Sequence, residues 1–225
     1  MKKVPVITID GLSGAGKGTI SKMLCTELGW NILDSGALYR TLTYLIEENE
    51  IDLKNFVENQ ENLLKDFDVN FQIGSLGEPV SVFLKDKDIT NLIRTEKIAE
   101  KTSALSSLKE IRDFIRPCQR AFKQLPGLIA DGRDMGTVIF PEADLKIYLT
   151  AELEERAKRR EIQLKSQGTK VNMRILLEEL EARDKKDIER ELSPLKPADD
   201  SFVIDTSGLS PEEVLKKVKD LLTNL

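Results

Sequence analysis

Apolar positions along this chain follow two different spacings. Five short apolar runs fit buried β-strands, and the stretches between them carry apolar residues at helical spacing. The five runs are residues 4–9, 30–33, 127–130, 145–149 and 202–204. Strands that alternate with helices form a parallel sheet covered by helices. We therefore expect an α/β fold with a five-stranded parallel core.

Between residues 68 and 90 the spacing changes to strict alternation of apolar and polar positions. The apolar members are Val69, Phe71 and Ile73, then Val80, Val82 and Leu84, on either side of the turn-rich segment 74–79. This pattern predicts an antiparallel hairpin. A hairpin within an α/β series is an insertion, and we expect an insertion beside a ligand loop to carry a second substrate.

The C-terminal segment predicts a structural helix. Ser210-Pro211-Glu212-Glu213 supplies an N-cap, a proline at the first helical position and a glutamate that closes a capping box. One stripe of this helix is apolar and consists of Val214, Leu215, Val218, Leu221 and Leu222.

A glycine-rich loop joins the first strand to the first helix, Gly11-Leu12-Ser13-Gly14-Ala15-Gly16-Lys17-Gly18-Thr19. Glycines let backbone N–H groups turn around polyphosphate oxygens, and Lys17 reaches the β- and γ-phosphates. An ordinary turn needs neither this glycine spacing nor a lysine after it, so we interpret the segment as a phosphate-binding loop. Gly18 stands where the common pattern has the Ser or Thr that binds Mg²⁺. We expect Thr19 and water to replace it.

Composition narrows the possible functions. The chain has 225 residues, 40% of them hydrophobic, which suits one globular domain over residues 1–225. No apolar run approaches the roughly 18 residues of a membrane span, and the N-terminus lacks the features of a signal peptide. We therefore expect a cytoplasmic protein without a membrane partner. A net charge of −5 argues against a general nucleic-acid binder.

Two residue types limit the chemistry further. Histidine is absent, so catalysis by a histidine base and Ser-His triads are excluded. The two cysteines, Cys25 and Cys118, lie far apart without metal or redox spacing, and we expect small, buried or partly buried thiols rather than a disulfide.

Two polar segments follow predicted strands and should meet at the carboxyl edge of the sheet. The first is 34–40, in which Arg40 can bind phosphate in a bidentate manner, or in which Ser35 merely caps a helix beside a surface arginine. The second is 131–137, whose arginine, carboxylates and glycines suit ribose and phosphate recognition. Asp131 is also a candidate for the Mg²⁺ shell.

Two sets of charged residues lie on predicted helix faces. Arg156, Arg159 and Arg160 share a face after the fourth strand and either close over a polyphosphate or form a solvated charged surface. Arg183, Asp187 and Arg190 share a face of the helix that begins near residue 172, where they either bind a ligand or form a salt-bridge ladder.

Together these groups suit phosphoryl transfer, in which a protein positions two anions and neutralises charge on the moving group. A phosphate monoester acceptor is largely a dianion at neutral pH and needs no base to act as a nucleophile. A chain without histidine is consistent with such an acceptor.

Three segments taken together resemble the bacterial cytidylate kinases: residues 6–19, residues 34–40 and Leu128-Ile129-Ala130-Asp131-Gly132-Arg133-Asp134-Met135-Gly136-Thr137. Shorter segments at 93–95, 119–122 and 183–184 are also similar to that family, and the likeness extends over essentially the whole chain. The resemblance implies transfer of the γ-phosphoryl group of ATP to CMP or dCMP with Mg²⁺. It also implies a P-loop kinase fold with an inserted nucleotide-monophosphate domain at about 62–100 and a mobile lid at about 154–172.

The resemblance also implies roles for individual residues. The expected catalytic residues are Lys17, Arg133, Arg156 and Arg160, and the expected metal ligand is Thr19. The family's nucleotide-monophosphate contacts fall on Ser35, Arg40, Arg133 and Asp134. Cytosine recognition falls on Ser103, Arg112 and Arg190, and sugar binding on Arg183 and Asp187.

A second function class remains open from the residues: a P-loop ATPase or nucleotide-dependent switch that binds a protein partner. The guanine-binding Asn-Lys-x-Asp segment of many switches is absent from the sequence. Adenylate kinases share the Gly-Lys-Gly-Thr ending but lack Asp-Gly-Arg-Asp-Met-Gly. We expect a monomer, because the sequence contains no long apolar helix typical of an interface.

Overall fold

The structure is a computed structural model that describes residues 3–74, 78–166, 168 and 170–223. Its strands are β1 (Val6–Gly11), β2 (Asn31–Asp34), β3 (Val69–Gln72), β4 (Ser81–Leu84), β5 (Lys87–Asp88), β6 (Leu128–Asp131), β7 (Leu145–Thr150) and β8 (Phe202–Asp205). Its α-helices are α1 (Lys17–Leu28), α2 (Ser35–Glu48), α3 (Phe56–Asp66), α4 (Glu96–Leu105), α5 (Lys109–Ala121), α6 (Leu153–Ser166), α7 (Met173–Glu189) and α8 (Pro211–Leu222).

The main sheet has five parallel strands in the order β2-β6-β1-β7-β8. All five strands lie where the apolar runs predict them, within two residues at each end. Neighbouring strands end together, because Asp34 of β2 and Ile9 of β1 both pair with Asp131 of β6. The predicted α/β fold is confirmed.

Side chains of the central strands alternate between two apolar layers. On β1, Val6 packs into one layer, whereas Ile7 and Ile9 pack into the other. The first layer is covered by α2 and α5 and the second by α1 and α8. This alternation has the period of two expected for strands buried on both faces. The sheet is therefore a rigid platform for the segments that leave its carboxyl edge.

The predicted hairpin is present as β3 and β4, which pair antiparallel from Val69–Leu84 to Gln72–Ser81. A third strand, β5, adds to β4; its two exposed residues have no apolar alternation that would have predicted it. Residues 75–77 of the predicted turn lie outside the described residues. Val82 and Ile89 belong to the same apolar layer as α2 and α5, so the small sheet packs onto the main core. The boundaries 62–100 of an inserted domain stay a prediction.

Two further predictions about helices are confirmed. Ser210 accepts a hydrogen bond from the Glu213 backbone, the Glu213 carboxylate accepts one from the Ser210 backbone, and Pro211 is the first helical residue of α8. On the apolar stripe of α8, Val214 and Val218 are buried. The helix expected near residue 172 is α7, and the Asn172 side chain caps it.

Other expectations concern the thiols and the membrane. Cys25 is buried and Cys118 is half-buried, and both are free thiols. Burial raises the pKa of the Cys25 thiol to about 12. Within the described part of the chain, no helix has the length and apolar character that crossing a membrane requires.

Candidate active site

The glycine-rich loop leaves β1 and ends at the first residue of α1. Gly14 and Gly16 have φ angles of 79° and 94°, in the left-handed region that favours glycine. Gly16 is the N-cap of α1, so the free N–H groups of that helix face the loop. The positive end of a helix dipole and a ring of backbone donors are an anion-binding arrangement.

Lys17, the first residue of α1, is 8% exposed and donates a hydrogen bond from Nζ to the Leu12 carbonyl at 2.9 Å. Burial, together with the nearby charges of Arg133 and Arg183, lowers the pKa of Lys17 to about 7, against the opposing effect of Asp131. The ammonium form is therefore poorly stabilised by the protein alone. An anion bound in the loop would stabilise it.

Asp131, at the end of β6, faces the loop from the neighbouring strand. Its Oδ2 lies 3.5 Å from the point where a Cβ on Gly18 would sit. Burial raises the pKa of Asp131 to about 7, and Lys17 opposes this shift. The position that carries a Ser or Thr hydroxyl in the common loop pattern is thus next to a carboxylate. Thr19 is solvent-exposed at the start of α1.

Asp10 connects the loop to the 131–137 segment, a role the sequence analysis did not assign. Its buried carboxylate accepts hydrogen bonds from the backbone N–H groups of Met135 at 2.9 Å and Gly136 at 2.8 Å. Burial raises the pKa of Asp10 to about 6, although these two bonds lower it. The signal in the sequence was a carboxylate at the end of an apolar strand, directly before Gly11.

The face of α7 that carries Arg183 and Asp187 meets the 131–137 segment. Arg190, which was expected on the same face, lies one residue beyond the end of α7, where the backbone is already extended. Arg133 donates from Nε to Asp187 Oδ2 at 2.9 Å, and Arg190 Nη1 lies 3.7 Å from Asp187 Oδ1. Burial alone would raise the pKa of Asp187, but the charge and hydrogen bond of Arg133 hold it below its ordinary value. Asp187 therefore pairs both with Arg190, just beyond the end of α7, and with Arg133, a predicted ligand-binding residue.

A second buried ion pair lies behind this cluster. Arg112 of α5 and Asp134 pair through Arg112 Nη2, and their side chains are 5% and 4% exposed. Arg112 also donates to the Ser106 carbonyl at 3.0 Å and lies over the Tyr39 ring. Arg112 and Asp134, both of which the resemblance assigns to the acceptor nucleotide, are thus in direct contact.

Other predicted acceptor residues line the same region. Ser35 is buried and its Oγ accepts a hydrogen bond from the Gln119 side-chain amide at 2.8 Å. Gln119, fully buried on α5, was missed as a functional candidate because its partner lies 84 residues away. Arg40 donates to the Ile93 carbonyl at 3.1 Å. Ser103 is half-buried on α4, two residues before that helix ends.

Several guanidinium groups influence one another across the cleft between α7 and the sheet edge. Surrounding protein and the charge of Arg133 lower the pKa of Arg183 to about 10, although Arg183 is open to solvent. Arg40 and Arg160 contribute to the same shift. Burial also lowers the pKa of Arg40, with smaller contributions from Arg94 and Arg160. A cleft with this much mutual repulsion favours a polyanionic ligand.

The three arginines expected to share a face on α6 have different partners. Arg156 is 4% exposed and bonds to the Ser13 carbonyl and to Asp184. Arg159 donates to both oxygens of Thr206, whose hydroxyl in turn donates to the Ala15 carbonyl. Their guanidinium groups therefore do not form one cluster in this structure.

Arg160 is the member of this set that faces the acceptor side, where it pairs with Glu96 of α4 at 3.3 Å. This pair joins α6 to the helix that follows the small sheet. Residues 167 and 169 of the expected lid lie outside the described residues. The lid at 154–172 and the catalytic roles of Arg156 and Arg160 stay predictions.

Comparison with known proteins agrees with this geometry. The sequence profile of the family described as "Cytidylate kinase" matches residues 7–224. A cytidylate kinase of Stutzerimonas stutzeri (strain A1501) is 48% identical over 218 residues, which cover 97% of this chain and 95% of that protein. A cytidylate kinase of Pseudomonas entomophila (strain L48) is 47% identical over 224 residues, covering 98% and 96% respectively.

Among solved structures, an uncharacterized protein from Eubacterium ventriosum ATCC 27560 has a TM-score of 0.50 at 15% sequence identity, with 99% of this chain and 100% of that chain covered. That similarity concerns the fold alone. The family profile and the relatives extend over the loop, the sheet edge and α7 together. The chain therefore belongs to the cytidylate kinase family.

Proposed function

We propose that the chain carries out the reaction of its family, transfer of the γ-phosphoryl group of ATP to CMP or dCMP, in the cleft between the glycine-rich loop and α7. The observation that carries this proposal is the position of Arg133. It lies two residues after Asp131, whose Oδ2 is next to Gly18 of the loop, and its guanidinium donates a hydrogen bond to Asp187 on α7. One residue thus lies next to both the donor side and the acceptor side.

On the donor side, the backbone N–H groups of the loop and the start of α1 bind the β- and γ-phosphates of ATP. Lys17 gives up its bond to the Leu12 carbonyl and donates to phosphate oxygens instead. Burial lowers the pKa of Lys17 and so disfavours its ammonium form. The negative charge of the bound polyphosphate stabilises that form. Transfer needs charge neutralisation on the moving group, which Lys17 and Arg133 supply.

On the acceptor side, Ser35, Arg40, Arg133 and Asp134 contact the monophosphate nucleotide. Ser103, Arg112 and Arg190 recognise cytosine. Arg183 and Asp187 hold the sugar, whose hydroxyls donate hydrogen bonds to Asp187. The acceptor phosphate, with a second pKa near 6, is mostly a dianion at pH 7. Its oxygen attacks the γ-phosphorus as the bond to the ADP oxygen breaks, so no protein base is required. The chain, which has no histidine, is suited to this mechanism.

Magnesium is part of this proposal and can be tested against the residues present. Among the described residues, no group of three His, Cys, Asp or Glu side chains is placed to hold a metal ion. Mg²⁺ often binds through one or two carboxylates, waters and substrate phosphates. Asp131, beside Gly18, and the exposed Thr19 fit that sparse donor set. When bound, Mg²⁺ would neutralise charge on the ATP phosphates.

The activity is tested by measuring CDP formation from ATP and CMP with purified protein. We expect turnover that depends on CMP and that falls by several orders of magnitude in Lys17→Ala. Lys216→Ala, an exposed lysine on α8, is the control and should behave as wild type. ATP hydrolysis that is indifferent to CMP would favour the ATPase or switch. A panel of CMP, dCMP, UMP and AMP then defines the acceptor.

A closing lid predicts a further result. If Arg160 closes over the transferred phosphoryl group, Arg160→Ala should lower kcat and increase the share of ATP lost to water. Equal kcat, KM and hydrolysis in Arg160→Ala and wild type would leave this residue as a surface partner of Glu96. A cytoplasmic location, a monomeric state and the absence of nucleic-acid partners remain predictions from the sequence.

A further inference from the structure

Arg156 connects the glycine-rich loop to two helices. From its position on α6 it donates from Nε to the Ala151 carbonyl at 3.0 Å and from Nη1 to the Ser13 carbonyl at 3.1 Å. The same Nη1 atom pairs with Asp184 Oδ2 on α7 at 2.5 Å. With 4% of its surface exposed, Arg156 is part of the interior.

Asp184 depends on this contact. It is 7% exposed, and its second oxygen, Oδ1, is buried without a hydrogen-bond partner among the residues described. A buried carboxylate that loses its paired cation strongly destabilises the fold. Asp184 therefore holds the guanidinium of Arg156 in place, and α7 cannot shift far without moving Arg156 too.

The loop also packs closely against Arg156, in addition to accepting its hydrogen bond. A Cβ placed on Gly14 would lie 3.1 Å from Arg156 Cβ and 3.3 Å from the Arg156 carbonyl oxygen. The backbone of α6 thus rests directly on the loop at Gly14, one residue after Ser13. A movement of Arg156 would be transmitted to the loop through both contacts.

The other end of this chain of contacts is the acceptor face of α7. Asp184 follows Arg183 in sequence and lies one turn before Asp187, which binds Arg133. The path from acceptor to donor therefore runs through Asp187, Asp184, Arg156 and Ser13. It involves one rigid helix and two polar contacts.

We propose that Arg156 and Asp184 form a clamp that couples the acceptor site on α7 to the phosphate loop, with both residues positioning the loop. This assignment rests on the proposed function for the identity of the two ligands. Binding of CMP fixes α7, α7 fixes Arg156 through Asp184, and Arg156 holds the Ser13 carbonyl in the conformation that receives ATP. By linkage, ATP tightens CMP binding by the same factor.

The test measures coupling directly by calorimetry. A non-hydrolysable ATP analogue is titrated into protein with and without saturating CMP. For wild type we expect CMP to tighten analogue binding by at least about fivefold, within the usual range of coupling between sites. In Asp184→Asn, which keeps the shape but removes the charge, we expect less than a twofold effect of CMP.

Glu178→Gln is the matched control, because it breaks the exposed Arg174–Glu178 pair on the same helix. It should retain the wild-type coupling. Arg156→Lys keeps the positive charge but lacks the forked N–H donors of arginine, and it should lose most of the coupling. This variant replaces Asp184→Asn as the test if Asp184→Asn does not fold. Asp184→Asn and Arg156→Lys combined should weaken coupling no more than either alone.

The clamp would be overturned if CMP tightened analogue binding in Asp184→Asn as much as in wild type. This holds also if the variant has a lower thermal unfolding temperature. Absence of coupling in wild type would also overturn it. Failure of the proposed function looks different: wild type would then neither bind CMP nor convert it to CDP. A protein that makes CDP but keeps its coupling in Asp184→Asn refutes the clamp alone.

Discussion

Replacing Lys17 with methionine should abolish phosphoryl transfer and, at the same time, stabilise the ligand-free fold. Lys17 is 8% exposed, and burial lowers its pKa from 10.5 to about 7. That difference corresponds to a destabilisation of about 4 kcal/mol at pH 7, when folded and unfolded chains are compared. Methionine has a similar length and no charge, and it loses a hydrogen bond to Leu12 worth about 1 kcal/mol. The net gain is about 3 kcal/mol, or roughly 6–12 °C in Tm.

The gain should depend on pH in a defined direction. A lysine whose pKa is lowered by folding destabilises the protein fully below the folded pKa, and the penalty fades as the pH rises towards the unfolded pKa. For Lys17 it falls from about 4 kcal/mol at pH 7 to about 2 kcal/mol at pH 9. Asp131 changes the stability difference in the same direction. Without the charge of Lys17 its pKa is higher in the variant, so ionisation of Asp131 at pH 9 destabilises the variant more than wild type. The advantage of Lys17→Met therefore shrinks from pH 7 to pH 9.

Denaturant unfolding of wild type and Lys17→Met without nucleotide measures the difference in their free energies of unfolding at pH 7 and pH 9. CDP formation measures activity. Lys216→Met on the exposed face of α8 controls for the substitution itself and should change neither. A Lys17→Met protein that is less stable than wild type at pH 7 would refute the reasoning. So would a stability gain of equal size at pH 7 and pH 9.

Further predictions concern the acceptor face and the loop. Arg190→Met should raise KM for CMP far more than for ATP, and loss of one charge-assisted contact of about 1.5–3 kcal/mol lowers kcat/KM by roughly one to two orders of magnitude. Asp187→Ala should change the ratio of kcat/KM for CMP to that for dCMP; an unchanged ratio with a lower Tm would leave the salt bridge as its only role. Gly14→Ala should raise KM for ATP at least about tenfold, since it combines left-handed strain of ~1–2 kcal/mol with a contact against α6. Gly208→Ala carries similar strain with nothing within 4 Å and should leave KM unchanged.

The sheet and its carboxyl edge could be predicted from sequence because both depend on local patterns. Apolar runs of three to six residues bounded by turn residues located each of the five parallel strands. Parallel pairing then placed segments 34–40 and 131–137 at the same edge, and the register shows in addition that Asp34 and Asp131 lie side by side. Strand β5 was missed because its exposed residues, Lys87 and Asp88, have neither apolar alternation nor burial to identify them.

The environment of single side chains could not be predicted in the same way. Helical spacing puts Arg156 and Arg160 on neighbouring positions of one face, but it does not say which guanidinium becomes buried. That outcome depends on Asp184, which lies 28 residues away on another helix. Likewise, Gln119 can donate its hydrogen bond to Ser35 only because α5 packs over the start of α2. Such contacts are set by the tertiary packing of distant elements.

The cleft also shows why this fold is poised to bind phosphates. Burial and neighbouring cations lower the pKa values of Lys17 and Arg40, so the protein stabilises these cations less than water would. Arg183 is open to solvent but shares the repulsion. Asp187 offsets part of that charge through Arg133. Under the proposed function, we expect the phosphates of two nucleotides to supply the missing negative charge and each bound phosphate to reduce the repulsion within the cleft. We therefore expect part of the affinity for the two substrates to come from destabilisation that folding has already imposed, and the Lys17→Met comparison measures the share of that destabilisation due to Lys17.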